Sequence, residues 1–140
     1  MDNRDLYKDT VNRVKSNLVS YNFLVENDVI QPINLAKIKS QLVAAKPIIG
    51  EIYEEAFGFY REAKEKCEHE YNQKYLQFRS DGKSQGDARA MGKLWTHKDT
   101  MAYLKEQTRA EVAKGMRWDM RDVIKDIEER LDNIRSDERH

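Results

Sequence analysis

Residues 112–134 read VAKGMRWDMRDVIKDIEERLDNI. Their apolar side chains Val112, Met116, Met120, Val123, Ile127, Leu131 and Ile134 fall at intervals of 4, 4, 3, 4, 4 and 3. An α-helix turns once in about 3.6 residues, so this spacing gathers all seven into one stripe and leaves the charged residues on the rest of the cylinder. The mean interval lies close to the 3.67 residues per turn of an eleven-residue repeat, which gives straight or slightly right-handed helices in place of a left-handed supercoil. A final helix over residues 98–135 follows.

The same periodicity extends towards the N-terminus. Residues 47–79 carry Ile49, Ile52, Ala56, Phe59 with Tyr60, Ala63, Cys67, Tyr71, Tyr75 and Phe78 at helical spacing. At 1.5 Å per residue this helix is about 50 Å long, more than a small globular core requires, which favours a hairpin or an assembly. Gly50 and Gly58 lower its propensity; they either admit a close neighbour or face solvent. Pro47 opens this helix or kinks one that began earlier. Before it, Asn34 reads as an N-cap for Leu35, Ile38, Leu42 and Ala45. Residues 3–26 place Tyr7, Val11, Val14, Leu18, Tyr21 and Val25 in a heptad pattern, a narrow seam on a helix roughly 35 Å long that calls for a partner helix. The polar run Glu26-Asn27-Asp28 and then Gln31-Pro32 mark its end.

Ser80-Asp81-Gly82-Lys83 is the clearest turn, and Ser84 with Asp87 three residues on resembles a capping box that starts a helix carrying Ala88, Met91, Leu94 and Trp95. Thr96 caps a separate last helix, or the two run together through His97 and Asp99. With Gly82 as hinge, the helix of residues 47–79 and the last helix fold back as an antiparallel hairpin. The first helix lies against that hairpin or swaps onto a neighbouring chain.

These readings give an all-α fold: long amphipathic helices in an antiparallel hairpin or bundle, with coiled-coil-like segments and an oligomeric assembly. The 140 residues are expected to form a single helical domain, with residues 1–30 serving oligomerisation, 34–79 as an arm and 84–135 as the return helices. Charged residues are 36% of the chain and the hydrophobic set 39%, a balance suited to helices that bury only a stripe. Two prolines and six glycines argue against disorder and against a turn-rich β fold. One cysteine, Cys67, permits no internal disulfide. The acidic start MDNRDLYKD is unlike a signal peptide, and no apolar run is long enough to span a bilayer. A cytoplasmic, non-membrane protein is expected.

Catalytic chemistry finds little support in the residues. Asp81-Gly82-Lys83-Ser84 matches the end of a phosphate-binding loop, but Gln77 stands where the motif needs its first glycine and a helical pattern precedes it in place of a strand. Cys67 and His69 are two apart and point in different directions on a helix, His97 and His140 are distant in sequence, and no Glu-x-x-His pair exists to hold two metals. The pairs Glu54-Glu55 and Glu128-Glu129 read as outer-face charges. The protein is expected not to be an enzyme, and no catalytic residue, metal ligand or cofactor is assigned.

Charge distribution is more informative than the net charge. The chain has 25 Lys plus Arg and 25 Asp plus Glu, yet between Asn72 and Arg121 there are 11 basic and 6 acidic residues. Lys74, Arg79, Lys83, Arg89, Lys93, Lys98, Lys105 and Arg109 form most of this band, and Tyr71, Tyr75, Phe78, Trp95 and Tyr103 lie among them. Cations that neutralise phosphates beside rings that stack on bases are what single-stranded nucleic-acid binding requires. The alternative is that the rings are core and the cations a solvated face. The nucleic-acid-binding set is taken as Lys74, Arg79, Lys83, Arg89, Lys93, Lys98, Trp95 and Tyr103. Alternating acidic and basic segments also suit contact between subunits or with another protein, with Trp118 as an anchor or a simple packing residue.

The string YNQKYLQFRSDGKSQGDARAMGKLWTHKDTMAYLKEQTRAEVAKGMRWDMRDVIKDIEERLDNIR has a Tyr-rich helix, a Gly turn followed by Lys-Ser-x-Gly-Asp-Ala, a Tyr-containing helix and a last helix ending in Ile-x-x-Ile-x-x-Arg-Leu. In that layout, over residues 53–135, the chain resembles the small helical proteins of tailed bacteriophages related to the T4-type recombination mediator. The resemblance implies helical subunits in rings, binding of single-stranded DNA, and help in loading a recombinase onto DNA coated by single-strand-binding protein. No functional residue is carried across from that family. The expectation is a homo-oligomeric, non-catalytic accessory protein of phage recombination or replication that binds single-stranded DNA and touches a recombinase or single-strand-binding protein. The alternative is a helical adaptor, inhibitor or scaffold without nucleic-acid binding.

Overall fold

A computed structural model describes residues 3–139. Among them the chain is all α and has no strand: α1 (Asn3–Glu26), α2 (Pro32–Ser80), α3 (Gln85–Trp95) and α4 (His97–Glu138). None of these helices is long and apolar enough to cross a membrane. They contribute to two compact units, one from the residues up to Ile52 together with those from Val112 onward, the other from Tyr53–Glu111.

In the first unit the stripe on α2 lies where its spacing puts it, with Leu35, Ile38, Leu42, Ala45, Ile49 and Ile52 all buried. On α4 the innermost line is Ala113, Met116, Met120, Ile124 and Ile127. Val112, expected in that line, is 56% exposed, because one residue turns a helix by about 100° and the small Ala113 takes the inward position. Val123, Leu131 and Ile134 flank the stripe, half-buried. Lys39 Nζ reaches Glu128 Oε1 at 3.3 Å between α2 and α4.

On α1 the innermost residues are Thr10, Val14, Asn17 and Tyr21, while Tyr7, Val11, Leu18 and Val25 are half-buried beside them. Two polar residues can sit inside because each finds a partner. Thr10 Oγ1 donates to the Leu6 carbonyl at 2.7 Å, and Asn17 Nδ2 donates both to the Arg13 carbonyl and to Gln41 Oε1, each at 2.8 Å. The partner helix that the seam calls for is thus α2 of the same chain, antiparallel across a short connection. The buried Tyr21 hydroxyl has no partner among the described residues.

That connection is a Schellman turn. Val29 N–H donates to the Leu24 carbonyl at 3.1 Å and Asp28 N–H to the Val25 carbonyl at 3.3 Å, with Asp28 in the left-handed region at φ 52°. The next helix begins at Pro32, two residues ahead of the Asn34 cap expected from sequence. The Gln31 carbonyl takes the N–H groups of Asn34 and Leu35 at 3.1 and 3.2 Å, and proline, which has no N–H to satisfy, suits the first helical position. Pro47 stays inside a continuous α2. The carbonyl it leaves without a helical donor belongs to Val43, and both residues are exposed, so water can take that place.

In the second unit α2 and α4 run antiparallel. Glu55 pairs with Arg109 at 3.3 Å, the Tyr60 and Tyr103 rings are 6.1 Å apart, and Cys67 Sγ lies 3.4 Å from Thr100 Oγ1, so one helix ascends as the other descends. The α2–α3 turn is a second Schellman motif: Lys83 N–H donates to the Phe78 carbonyl at 3.0 Å and Gly82 N–H to the Arg79 carbonyl at 3.1 Å, with Gly82 at φ 89°. Ser84 caps α3 by accepting the Asp87 N–H at 3.1 Å. Thr96 separates α3 from α4, and its buried hydroxyl donates back to the Gly92 carbonyl at 3.0 Å in place of capping α4.

Candidate functional site

The buried positions of the second unit are occupied by small residues: Ala56, Cys67, Ala88, Gly92, Thr96 and Ala110. Small side chains let helices approach, and the large rings then have no room inside. Tyr53, Phe57, Tyr60, Tyr71, Tyr75 and Tyr103 are accordingly half-buried and stack along the helix edges, Tyr53 on Phe57 at 5.7 Å and Tyr71 on Tyr75 at 6.3 Å. Close approach occurs at Gly92, where an added Cβ would lie 3.0 Å from Tyr71 Cε2; around Gly50 and Gly58 nothing comes within 4 Å.

All eight residues of the basic and aromatic set fall in the second unit. The structure brings Lys74 and Trp95 together across α2 and α3, the ammonium 4.0 Å from the indole centroid. Trp95 is nevertheless 62% exposed, so the cation orients a ring that remains available to solvent. Arg79 Nη1 donates to the Lys83 carbonyl at 2.9 Å, which places its charge on the turn where the C-terminal end of α2 carries partial negative charge. Arg89 and Lys93, four residues apart, share one exposed face of α3. Lys83 is exposed on the turn before it, and Lys98 is exposed in the first turn of α4. Tyr103 stands apart from Trp95, held by Tyr60. Arg109 is engaged by Glu55 and by Glu106 at 3.5 Å, which removes it from the open cations. From Asn72 to Lys98 the chain has Lys74, Arg79, Lys83, Arg89, Lys93 and Lys98 against Asp81 and Asp87.

Two features of this region escape a periodicity reading. Leu76 and Leu94 are 66% and 78% exposed; Leu76 lies off the α2 stripe, which is the signal that could have marked it, whereas Leu94, grouped by its spacing with Ala88 and Met91 on α3, faces solvent. The other is an open cleft of about 570 Å³ whose walls come from α2, α3, α4 and the Thr96 junction. Its lining includes Cys67, Glu68, Tyr71, Asn72, Lys93 and Tyr103. Residues so far apart in sequence leave no local pattern. Nearby, the Asp99 carboxyl hydrogen-bonds Glu70 and, with partial burial and its own negative charge, holds Glu70 above the usual carboxylate range; Lys66 opposes the shift.

Among the described residues no cluster of three or more His, Cys, Asp or Glu is arranged for a metal. Cys67 is buried against Thr100 and the Thr96 carbonyl. Glu55 and Glu128, one from each of the two acidic pairs, are in ion pairs. Trp118 belongs to the first unit, half exposed with the Arg121 guanidinium 5.0 Å over its ring. No protein family, no curated protein and no solved structure matches the chain.

Proposed function

We propose that this protein is a non-catalytic accessory factor that binds single-stranded DNA through the second unit. The observation that carries the reading is the exposed Trp95 ring, positioned by Lys74 at 4.0 Å and surrounded in sequence by Arg79, Lys83, Arg89 and Lys93. An oriented ring supplies a stacking surface for any base, and cations spaced along a turn and a helix face supply sites for successive phosphates. A neutral subunit holds polyanions weakly, so repetition of this surface in a homo-oligomer would raise affinity by multivalency. In the setting suggested by the phage mediator resemblance, such an assembly would keep a strand open and lower the cost of its transfer between a single-strand-binding protein and a recombinase, in the host cytoplasm.

Fluorescence anisotropy of a labelled oligo-dT strand at two salt concentrations, with mass measured by light scattering on the same sample, tests this. Each phosphate contact should contribute about 0.7 to the slope of log affinity against log salt. Replacing Lys83, Arg89 and Lys93 together by Ala should therefore lower the slope by about 2 and weaken binding at low salt, and Trp95→Ala should weaken binding with the slope unchanged. A folded protein that leaves the strand unbound at low salt would overturn the reading.

A protein-interaction module is the second reading, and the first unit favours it. Val19, Phe23, Ile33 and Trp118 are exposed there, and large apolar side chains at the surface are what protein partners cover. It predicts self-association or partner binding that survives removal of the three cations.

A further inference from the structure

Resting on the DNA-binding reading, we infer that the cleft of the second unit is a subsite for one unstacked nucleobase of the bound strand, with the adjoining phosphate on Lys93. The open cleft has a volume of about 570 Å³, within the range of small-molecule sites. Two of its walls are aromatic and already fixed. Tyr71 is set by the bare backbone of Gly92, where any Cβ would stand 3.0 Å from its ring, and by stacking on Tyr75. Tyr103 is braced from the other side by Tyr60 at 6.1 Å. Rings that are already held lose little freedom when a planar ligand arrives.

Of the polar residues lining the cleft, which also include His97 and Thr100 of α4, three give it a direction. Glu68 and Asn72 are one turn apart on α2, so they share a wall, while Lys93 comes from α3. A carboxylate repels phosphate and accepts from an exocyclic amino group; an ammonium does the reverse. The base therefore enters towards Glu68 and Asn72 and its phosphate stays at Lys93. Cytosine and adenine offer an amino donor to Glu68, whereas thymine turns an acceptor oxygen towards it. The cleft thus prefers amino-bearing bases, a selectivity that stacking on Trp95 alone would not produce.

The test compares short oligo-dC, oligo-dT and an abasic deoxyribose-phosphate strand of the same length by anisotropy at low salt, for the full chain and for the Glu68→Gln and Asn72→Ala variants. Both sites are exposed, and circular dichroism checks that the variants fold. Oligo-dC should bind about tenfold tighter than the abasic strand and several-fold tighter than oligo-dT, as one base contact allows. The dC/dT ratio should fall towards one in Glu68→Gln, chiefly because oligo-dT, no longer facing a carboxylate, binds more tightly. Equal binding of oligo-dC and oligo-dT by the parent, both tighter than the abasic strand, overturns the base subsite and leaves the DNA-binding reading in place, whereas equal binding of all three overturns stacking on Trp95 as well. Binding of none overturns both. A dC preference that persists in both variants but vanishes in Trp95→Ala overturns the cleft and assigns the base to the exposed indole.

Discussion

In the first unit the largest fully enclosed side chains are Leu35, Leu42, Ile49, Met120, Ile127 and Val14, whereas the second unit encloses Ala56, Cys67, Ala88, Thr96 and Ala110. Each fully buried Leu, Ile or Met contributes about 1.5–3 kcal/mol relative to exposure, and an Ala far less. Stability therefore resides chiefly in the first unit. The second is held by small-residue contacts, caps and ring edges, and its aromatic and basic side chains are left at the surface. The proposed binding depends on that difference, since rings that are wholly buried cannot stack on a ligand.

Paired truncations would test this division most severely. Leu42→Ala in the first unit should cost about 2–5 kcal/mol in urea denaturation, while Trp95→Ala in the second should cost less than about 0.5 kcal/mol because its ring is mostly exposed. Equal costs would break the contrast.

The two Schellman turns offer a finer comparison. Gly82 occupies the left-handed position of one and Asp28 that of the other, and a residue with a Cβ is strained there by about 1 kcal/mol. Gly82→Ala should therefore destabilise by about that amount, and Asp28→Gly should stabilise by about 0.5–1 kcal/mol. If the Asp28 change gave no gain, its side chain would have to be compensating the strain.

The smallest expected effect is electrostatic. Because Asp99 raises the Glu70 pKa in the folded protein, the fold holds that proton more tightly than the unfolded chain does. Its contribution to stability is complete below the ordinary glutamate value and is lost as pH rises through the raised one. Glu70→Gln removes the like-charge contact, though also the 4.0 Å pairing with Lys66. The melting temperature of the variant should gain on that of the parent as pH rises from the ordinary glutamate range towards neutrality. A constant difference across that range would show that Asp99 exerts no such effect.

Much of this fold is written locally. The turn at Gly82, the Ser84 cap and the stripe from Leu35 to Ile52 were legible because positive φ, side-chain capping and a period of 3.6 each involve residues only a few positions apart. The six basic and two aromatic residues selected for nucleic-acid binding lie in one unit. Asn34 was misread as a cap because Gln31 and Pro32 make an equally good start and the contest is settled by which carbonyl the helix closes on.

Longer-range decisions needed the folded chain. Whether Asn17 could lie inside depended on Gln41 arriving from another helix to satisfy the amide, and Val112 lost its inward place to Ala113 through rotation about an axis fixed by neighbours. The Lys74–Trp95 pair joins residues 21 positions apart, and the cleft gathers its walls from three helices. Periodicity names the face of a helix, because it follows from backbone geometry alone. Which members of that face touch, and what space they leave between them, follows from how one helix is set against the next, and that is a property of tertiary contacts.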